Sequence, residues 1–434
     1  MTVTDDFWDR YREQTQRSAK LAQRARAVLP GGDTRSVTYH RPYPSFVAEA
    51  SGATITTVDG EELIDFLNNY TQSVLGHAPE PVVERMCERL RRGNDVAAPN
   101  EDIVELAERL VDRVQSIEQV RFSNSGTEAT MNAVRASVAW TGRDRVLKVA
   151  GGYHGTHDTV EVAVGDEGVN AGIPDSVGER VDAVRFNDPD ALKARFERRG
   201  DEYACFILEP IVGAGGMVPA TEEFLQTARD LTESTDTVLV FDEVMSFRLA
   251  PGGAQQRYGV EPDLTTLGKL IGGGLPIGAF GGDGKLMEQF HPEDGVLKHS
   301  GTFNGNPATM AGGVAALEML DEDRIDQLND RGERLRDRLR AASDDVDVPV
   351  QITGDGSLFQ IHFTDEPVVD CESSAAGDPL AEELFLRMRT DGIFLAPRGM
   401  GNLSTKIGSN ELDTFVDAFE TAIAKLATSK RTSR

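Results

Sequence analysis

The rhythm of hydrophobic positions changes twice along this chain. Residues 5–28 place charged and apolar side chains at helical spacing and end on Leu29-Pro30-Gly31-Gly32, which stops a helix. Short strands follow in pairs, as in Ala53–Val58 and Leu63–Phe66, split by the turn Asp59-Gly60. From about residue 75 to 320, strand-length apolar runs alternate with helical patterns. The strands are Gln119–Phe122, Arg145–Val149, Ala183–Phe186, Ala204–Leu208, Val238–Phe241 and Ile277–Gly281, and a further run ends at Lys269. Helices such as Glu128–Trp140 and Glu222–Leu231 lie between them. This alternation predicts an α/β fold, with a mostly parallel sheet covered by helices on both faces. After about residue 325 the pattern becomes a long charged helix, Asp326–Ala342, then short strands (Ser357–Phe363, Ile393–Leu395) and a last helix, Glu411–Leu426. We expect a large domain over 66–322 and a smaller α+β domain over 323–434, on which residues 1–65 pack.

Composition adds limits. The chain has 434 residues, 39% of them hydrophobic, enough for a large core. No apolar run approaches the roughly 20 residues needed to span a bilayer. The start, Met1-Thr2-Val3-Thr4-Asp5-Asp6, lacks the basic and apolar regions of a signal peptide, so a cytoplasmic location is expected. Net charge is −27, from 72 acidic and 45 basic residues, which repels nucleic acid and anionic membranes and leaves small molecules as the expected partners. Lysine is scarce, with nine in all, and this acidic, lysine-poor pattern resembles proteins adapted to high salt. Cys87, Cys205 and Cys371 are far apart and suit no metal site, so reduced thiols are expected. His154 and His157 lack a ligand set for zinc, and Gly281-Gly282-Asp283-Gly284-Lys285 lacks the spacing of a P-loop. No metal is expected.

The scarcity of lysine sharpens the chemistry. Asp242 closes the run Val238–Phe241, and Lys269 closes Leu264-Thr265-Thr266-Leu267-Gly268. Strand ends in an open α/β sheet face a ligand crevice. An acid and a lysine so placed suit pyridoxal phosphate, whose ring nitrogen the acid keeps protonated and whose aldehyde condenses with the amine. Ser125-Gly126-Thr127 opens the helix that runs to Trp140, and free N–H groups at a helix start bind a phosphate. The same residues also read as an ordinary capping box, Ser125 with Glu128. In Gly151-Gly152-Tyr153-His154-Gly155, Tyr153 is placed to stack on one ring face, and Val244 to pack on the other. Thr302, in the polar loop Ser300–Pro307, is a candidate for a second phosphate contact.

Together these stretches resemble the class III (subgroup II) pyridoxal-phosphate-dependent aminotransferases. The resemblance rests on RFSNSGTEATMNAVRASVAWTGRDRVLKVAGGYHG, LEP at 208–210, FDEVM, TTLGKLIGGG and HSGTFNGNP, in that order between about residues 30 and 400. It implies a type I pyridoxal-phosphate fold and a homodimer with shared active sites. It further implies Lys269 bonded to the cofactor, Asp242 on the pyridinium and Tyr153 on the ring. Ser125, Gly126 and Thr127 would hold the phosphate, His154 and Glu209 would complete the cofactor set, and Thr302 would reach the partner's phosphate.

Within the family the chain departs from glutamate-1-semialdehyde 2,1-aminomutases. Thr38 stands where a substrate-binding arginine is expected, Ala214 replaces an asparagine, Tyr70 replaces a tryptophan, and a carboxyl-terminal glutamate is missing from Arg398–Gly401. The stretches PGGDTRSVTYHRPYP, DEVMSFRLAPGG and APRGMGNLS instead resemble the β-amino-acid aminotransferase branch, with Arg35 and Arg398 at the positions that grip carboxylates. The expectation is therefore an aminotransferase acting between an amino acid, such as a β-amino acid, and an oxo acid such as 2-oxoglutarate or pyruvate. Arg35, Arg398 and Tyr70 form its expected substrate set, and the aminomutase is the alternative.

Overall fold

The computed structural model describes residues 5–162, 171–344, 346–374 and 379–432. Met1–Thr4, part of the stretch read for a targeting signal, lie outside them. A seven-stranded sheet runs in the order Gln119–Ser123, Gly278–Gly282, Leu264–Gly268, Val238–Asp242, Tyr203–Leu208, Arg145–Val149, Val181–Val184. All pairings are parallel except the two made by Gly278–Gly282. The central strands Tyr203–Leu208 and Val238–Asp242 are buried along their whole length, as expected for a sheet covered on both faces. Aromatic and aliphatic layers fill the two sides: Phe206, Phe224 and Phe241 on one, Val146, Val240 and Phe280 on the other.

Two smaller sheets complete the fold. One joins Val47–Ser51, Thr54–Thr57 and Glu62–Asp65 to Ile393–Phe394, so both ends of the chain share it. The other contains Gln351–Thr353, Leu358–His362 and Met400–Asn402. The helix Glu322–Asp344 begins four residues before the expected Asp326, because Ile325 is buried and its N–H already bonds to Asp321 O at 3.1 Å. The strand expected at Ala183–Phe186 lies two residues earlier: Val184 pairs with Val149, and Arg185 turns out to pair with Asp370. Between 80 and 113 the chain forms two helices, Glu80–Arg91 and Glu101–Arg113, without an intervening strand. They pack on Pro307–Met319, where a Cβ on Gly313 would come within 2.1 Å of Ile271 O.

One local conformation stands apart. Asn68, Asn69, Tyr70 and Thr71 all have positive φ, from 47 to 78°, forming a left-handed turn without glycine. Each such residue costs roughly 1–2 kcal/mol. Lys269, with φ 50°, is another.

Candidate active site

The carboxyl ends of the parallel strands open into a cavity of about 540 Å³. Asp242 and Lys269 both line it, the first at the end of a central strand and the second just past its neighbour. The pairing of Asp242 with Thr266 sets Lys269 three residues beyond the register partner of the acid. Gly126, Thr127, Tyr153, His154, Glu209, Val244, Arg35, Tyr70 and Arg398, all expected site residues, line the same space.

Asp242 is buried and oriented on both sides: Val244 N donates to Oδ1 at 3.1 Å, and His154 Nδ1 lies 2.9 Å from Oδ2. Burial pushes the His154 imidazole below its ordinary range, partly offset by Asp242. A neutral ring, assigned from this contact, donates Nδ1–H to the acid and orients it. The Lys269 amine is also held below the usual lysine range, first by burial and then by Arg248 and Arg398, while Glu209 and Asp242 oppose the effect. Glu209 is buried, and its carboxyl is pushed up to about 8 by burial and then by Asp242. Its oxygens accept from Tyr153 N at 2.9 Å and Gly213 N at 3.4 Å, fixing the loop that presents the half-exposed Tyr153 ring.

The helix Gly126–Thr141 points its start at the cavity. Ser125 does not line the cavity; its Oγ accepts from Glu128 N at 3.1 Å, and Glu128 Oε2 accepts from Asn124 N at 2.6 Å, the reciprocal bonds of a capping box. Gly126 and Thr127 do line it. A Cβ on Gly126 would meet Val244 at 3.2 Å, narrowing the cradle between helix start and strand end. Thr302 is exposed and lies outside this cavity in the single chain.

The cavity also holds two cations without carboxylate partners among the described residues. The Arg35 guanidinium donates to Asn69 Oδ1, at 2.8 Å. Arg398 reaches Ala214 O at 3.4 Å and Met400 Sδ at 3.0 Å, and its Nε is buried without a partner. Burial is the main cause that lowers the Arg398 guanidinium from its ordinary value. Sequence reasoning missed Asn69, which anchors Arg35. The Asn68-Asn69 pair was its signal, since asparagine tolerates left-handed backbone better than most residues. It also missed Lys148, fully buried below the Tyr153 loop, with Nζ donating to Gly152 O at 3.0 Å and Val160 O at 2.6 Å.

A helix start open to an anion, a buried acid oriented by an imidazole and a depressed lysine fit pyridoxal phosphate. The Aminotransferase class-III family model matches residues 36–423. The chain belongs to the class III aminotransferase family. Its members' fold is the type I pyridoxal-phosphate fold, and its cofactor is pyridoxal phosphate. The glutamate-1-semialdehyde 2,1-aminomutase of Methanothermobacter thermautotrophicus is 43% identical to this class III chain, covering 88% of it and 92% of that protein. Others of that name match at 37–40% identity. Among solved structures, an omega-transaminase from Sphaerobacter thermophilus superposes with a TM-score of 0.91 at 41% identity, covering 95% of this chain and 98% of that one. A β-phenylalanine aminotransferase from Variovorax paradoxus gives 0.92 at 35% identity, covering 98% and 97%.

The aminomutase relatives overturn the expectation of an aminotransferase working between two different molecules. That expectation gave weight to Thr38, Ala214 and Tyr70 as departures and to Arg35 and Arg398 as grips. A pocket arginine binds any carboxylate, so the two cations do not separate transfer between molecules from transfer within one.

Proposed function

We propose that this enzyme is an aminomutase that moves an amino group between neighbouring carbons of glutamate 1-semialdehyde. The observation that carries the proposal is the 43% identity, over 88% of the chain, to an enzyme of that name. The pocket supports it chemically. Arg398, with an unpartnered Nε, and Arg35 offer two cations to the substrate's single carboxylate. Transfer within one molecule requires the carbon skeleton to stay in the site while its nitrogen is held elsewhere, and a double cationic grip opposes its escape.

Bound pyridoxal phosphate supplies the electron sink that makes the carbon next to nitrogen acidic. In the proposed assignment, Asp242, oriented by His154, would hold the proton on the ring nitrogen. Gly126 and Thr127 take the phosphate at the helix start, Val244 and Tyr153 bound the ring faces, and Glu209 holds the Tyr153 loop. The Lys269 amine would hold the cofactor's aldehyde and, when free, would carry a proton between carbons of the substrate. Its basicity is lowered from the ordinary lysine range, chiefly by burial, which favours the neutral amine that this role needs. Tyr70 closes the substrate side.

The division into 1–65, 66–322 and 323–434 remains our proposal for the domains, supported by the sheet that both chain ends share. A homodimer is supported by exposed Phe303 beside Thr302 on a polar loop. Three free cysteines support a reducing, cytoplasmic setting. Among the described residues, no helix is long and apolar enough to cross a membrane.

The test is turnover of glutamate 1-semialdehyde by the purified holoenzyme with no oxo acid added. The proposal expects complete conversion to the isomer bearing nitrogen on the terminal carbon. A requirement for added 2-oxoglutarate or pyruvate contradicts it.

A further inference from the structure

We infer that the left-handed turn Asn68–Thr71 sets the carboxylate end of the pocket, and that Asn402 and Arg248, both outside the pocket, are its positioning residues. The inference rests on the reading of Arg35 and Tyr70 as substrate contacts. Consecutive left-handed residues persist only where the surroundings over-determine them, and here they do. Asp65 Oδ1 accepts from Leu67 N and Asn68 N, each at 2.8 Å. Asn402 clasps the turn from the other side. Its Nδ2 donates to Leu67 O at 2.7 Å, and its backbone O accepts from Asn68 Nδ2 at 2.9 Å. Arg248 Nη1 donates to Asn402 Oδ1 at 2.8 Å and to Thr71 O at 3.2 Å.

Arg248 is fully buried, and its hydrogen-bond acceptors (Ser357 Oγ, Thr71 O, Asn402 Oδ1 and Leu403 O) are all neutral. Such a cation is costly to bury, and what it does here is fix three chain segments around one turn. The turn in turn fixes the pocket rim: Asn69 Oδ1 accepts from Arg35 Nη1, and Tyr70 OH donates to Val37 O. Arg398 lies two residues before the strand Met400–Asn402. Both pocket arginines are therefore tied to that strand, Arg398 directly and Arg35 through the turn.

The test measures binding of pentanoate, an unreactive monocarboxylate of the substrate's length, to the cofactor-loaded enzyme by calorimetry. Asn402→Ala is expected to weaken it by roughly tenfold or more, as for a misplaced charge-assisted contact, with the cofactor absorbance unchanged. Adding Thr71→Gly should bring binding back to within about threefold of the parent, because glycine adopts positive φ freely. The Thr71 hydroxyl is buried without a hydrogen-bond partner, so its removal forfeits no such bond. A merely space-filling role for Asn402 would not be rescued in this way. Parent-like binding by Asn402→Ala overturns the inference, as does a folded, loaded double variant that does not recover. Should Asn402→Ala not fold, two single variants decide. Thr71→Gly alone must raise the melting temperature, and Asn69→Gly must weaken pentanoate binding without lowering it; the opposite result in either overturns the inference. Because no turnover is read, an enzyme that proves not to be an aminomutase still gives a clear answer.

Discussion

Glu209→Gln tests the electrostatics of the site most sharply. The Glu209 carboxyl is pushed from the ordinary 4.5 to about 8, first by burial and then by Asp242. In the unfolded chain it loses its proton near the ordinary value; in the folded, cofactor-free chain it keeps the proton to about pH 8. Between these limits the folded state binds more protons, so stability is fully present at low pH and is lost as pH rises through this window. The slope is about 1.4 kcal/mol per pH unit, and the whole span is worth at most roughly 5 kcal/mol. Glutamine does not titrate, yet it still offers an oxygen to Tyr153 N or Gly213 N. Urea denaturation of the cofactor-free parent and variant at pH 5, 6.5 and 8, at one fixed high salt concentration, measures the difference. The variant is expected to gain stability relative to the parent by several kcal/mol across that range. Parallel curves for the two proteins would refute the reasoning.

Other outcomes follow from the same geometry. Lys148→Met should show the opposite trend. Burial lowers that amine to about 8, so the unfolded chain binds the extra proton above pH 8, and the parent's stability rises there while the variant's does not; alkaline urea titrations check this. Arg398→Leu removes a charged grip worth about 1.5–3 kcal/mol, so KM for the semialdehyde should rise roughly 10- to 150-fold with a smaller change in kcat, read by steady-state kinetics. Asp242→Asn should lower kcat by roughly 100-fold or more and displace the cofactor's absorption band, since an amide cannot hold the ring proton by charge.

Much of this arrangement was legible in the sequence for definite reasons. The strand Arg145–Val149 has its expected limits, because its apolar run is bounded by charge on one side and by glycines on the other. Asp242 and Lys269 could be brought to one cavity because strand ends in a parallel sheet share one edge. Ser125 shows a residue type with two uses: a hydroxyl at a helix start caps by accepting from an N–H and keeps its own O–H to donate. The left-handed turn left only the faint signal of Asn68-Asn69, because it contains no glycine and is imposed by Asp65, Asn402 and Arg248, two of them distant in sequence. Lys148 escaped notice because nothing in its strand signals that two carbonyls close over its amine. The direction of amino transfer lay beyond residue-by-residue reading, since the same two arginines serve either chemistry.

The most direct test of the account is to reduce the pyridoxal-phosphate-loaded enzyme with borohydride and map the modified lysine by peptide mass spectrometry. The account predicts a pyridoxyl group on Lys269 alone among the nine lysines. Modification of Lys148, the other buried lysine with a lowered amine, or of neither, would contradict it.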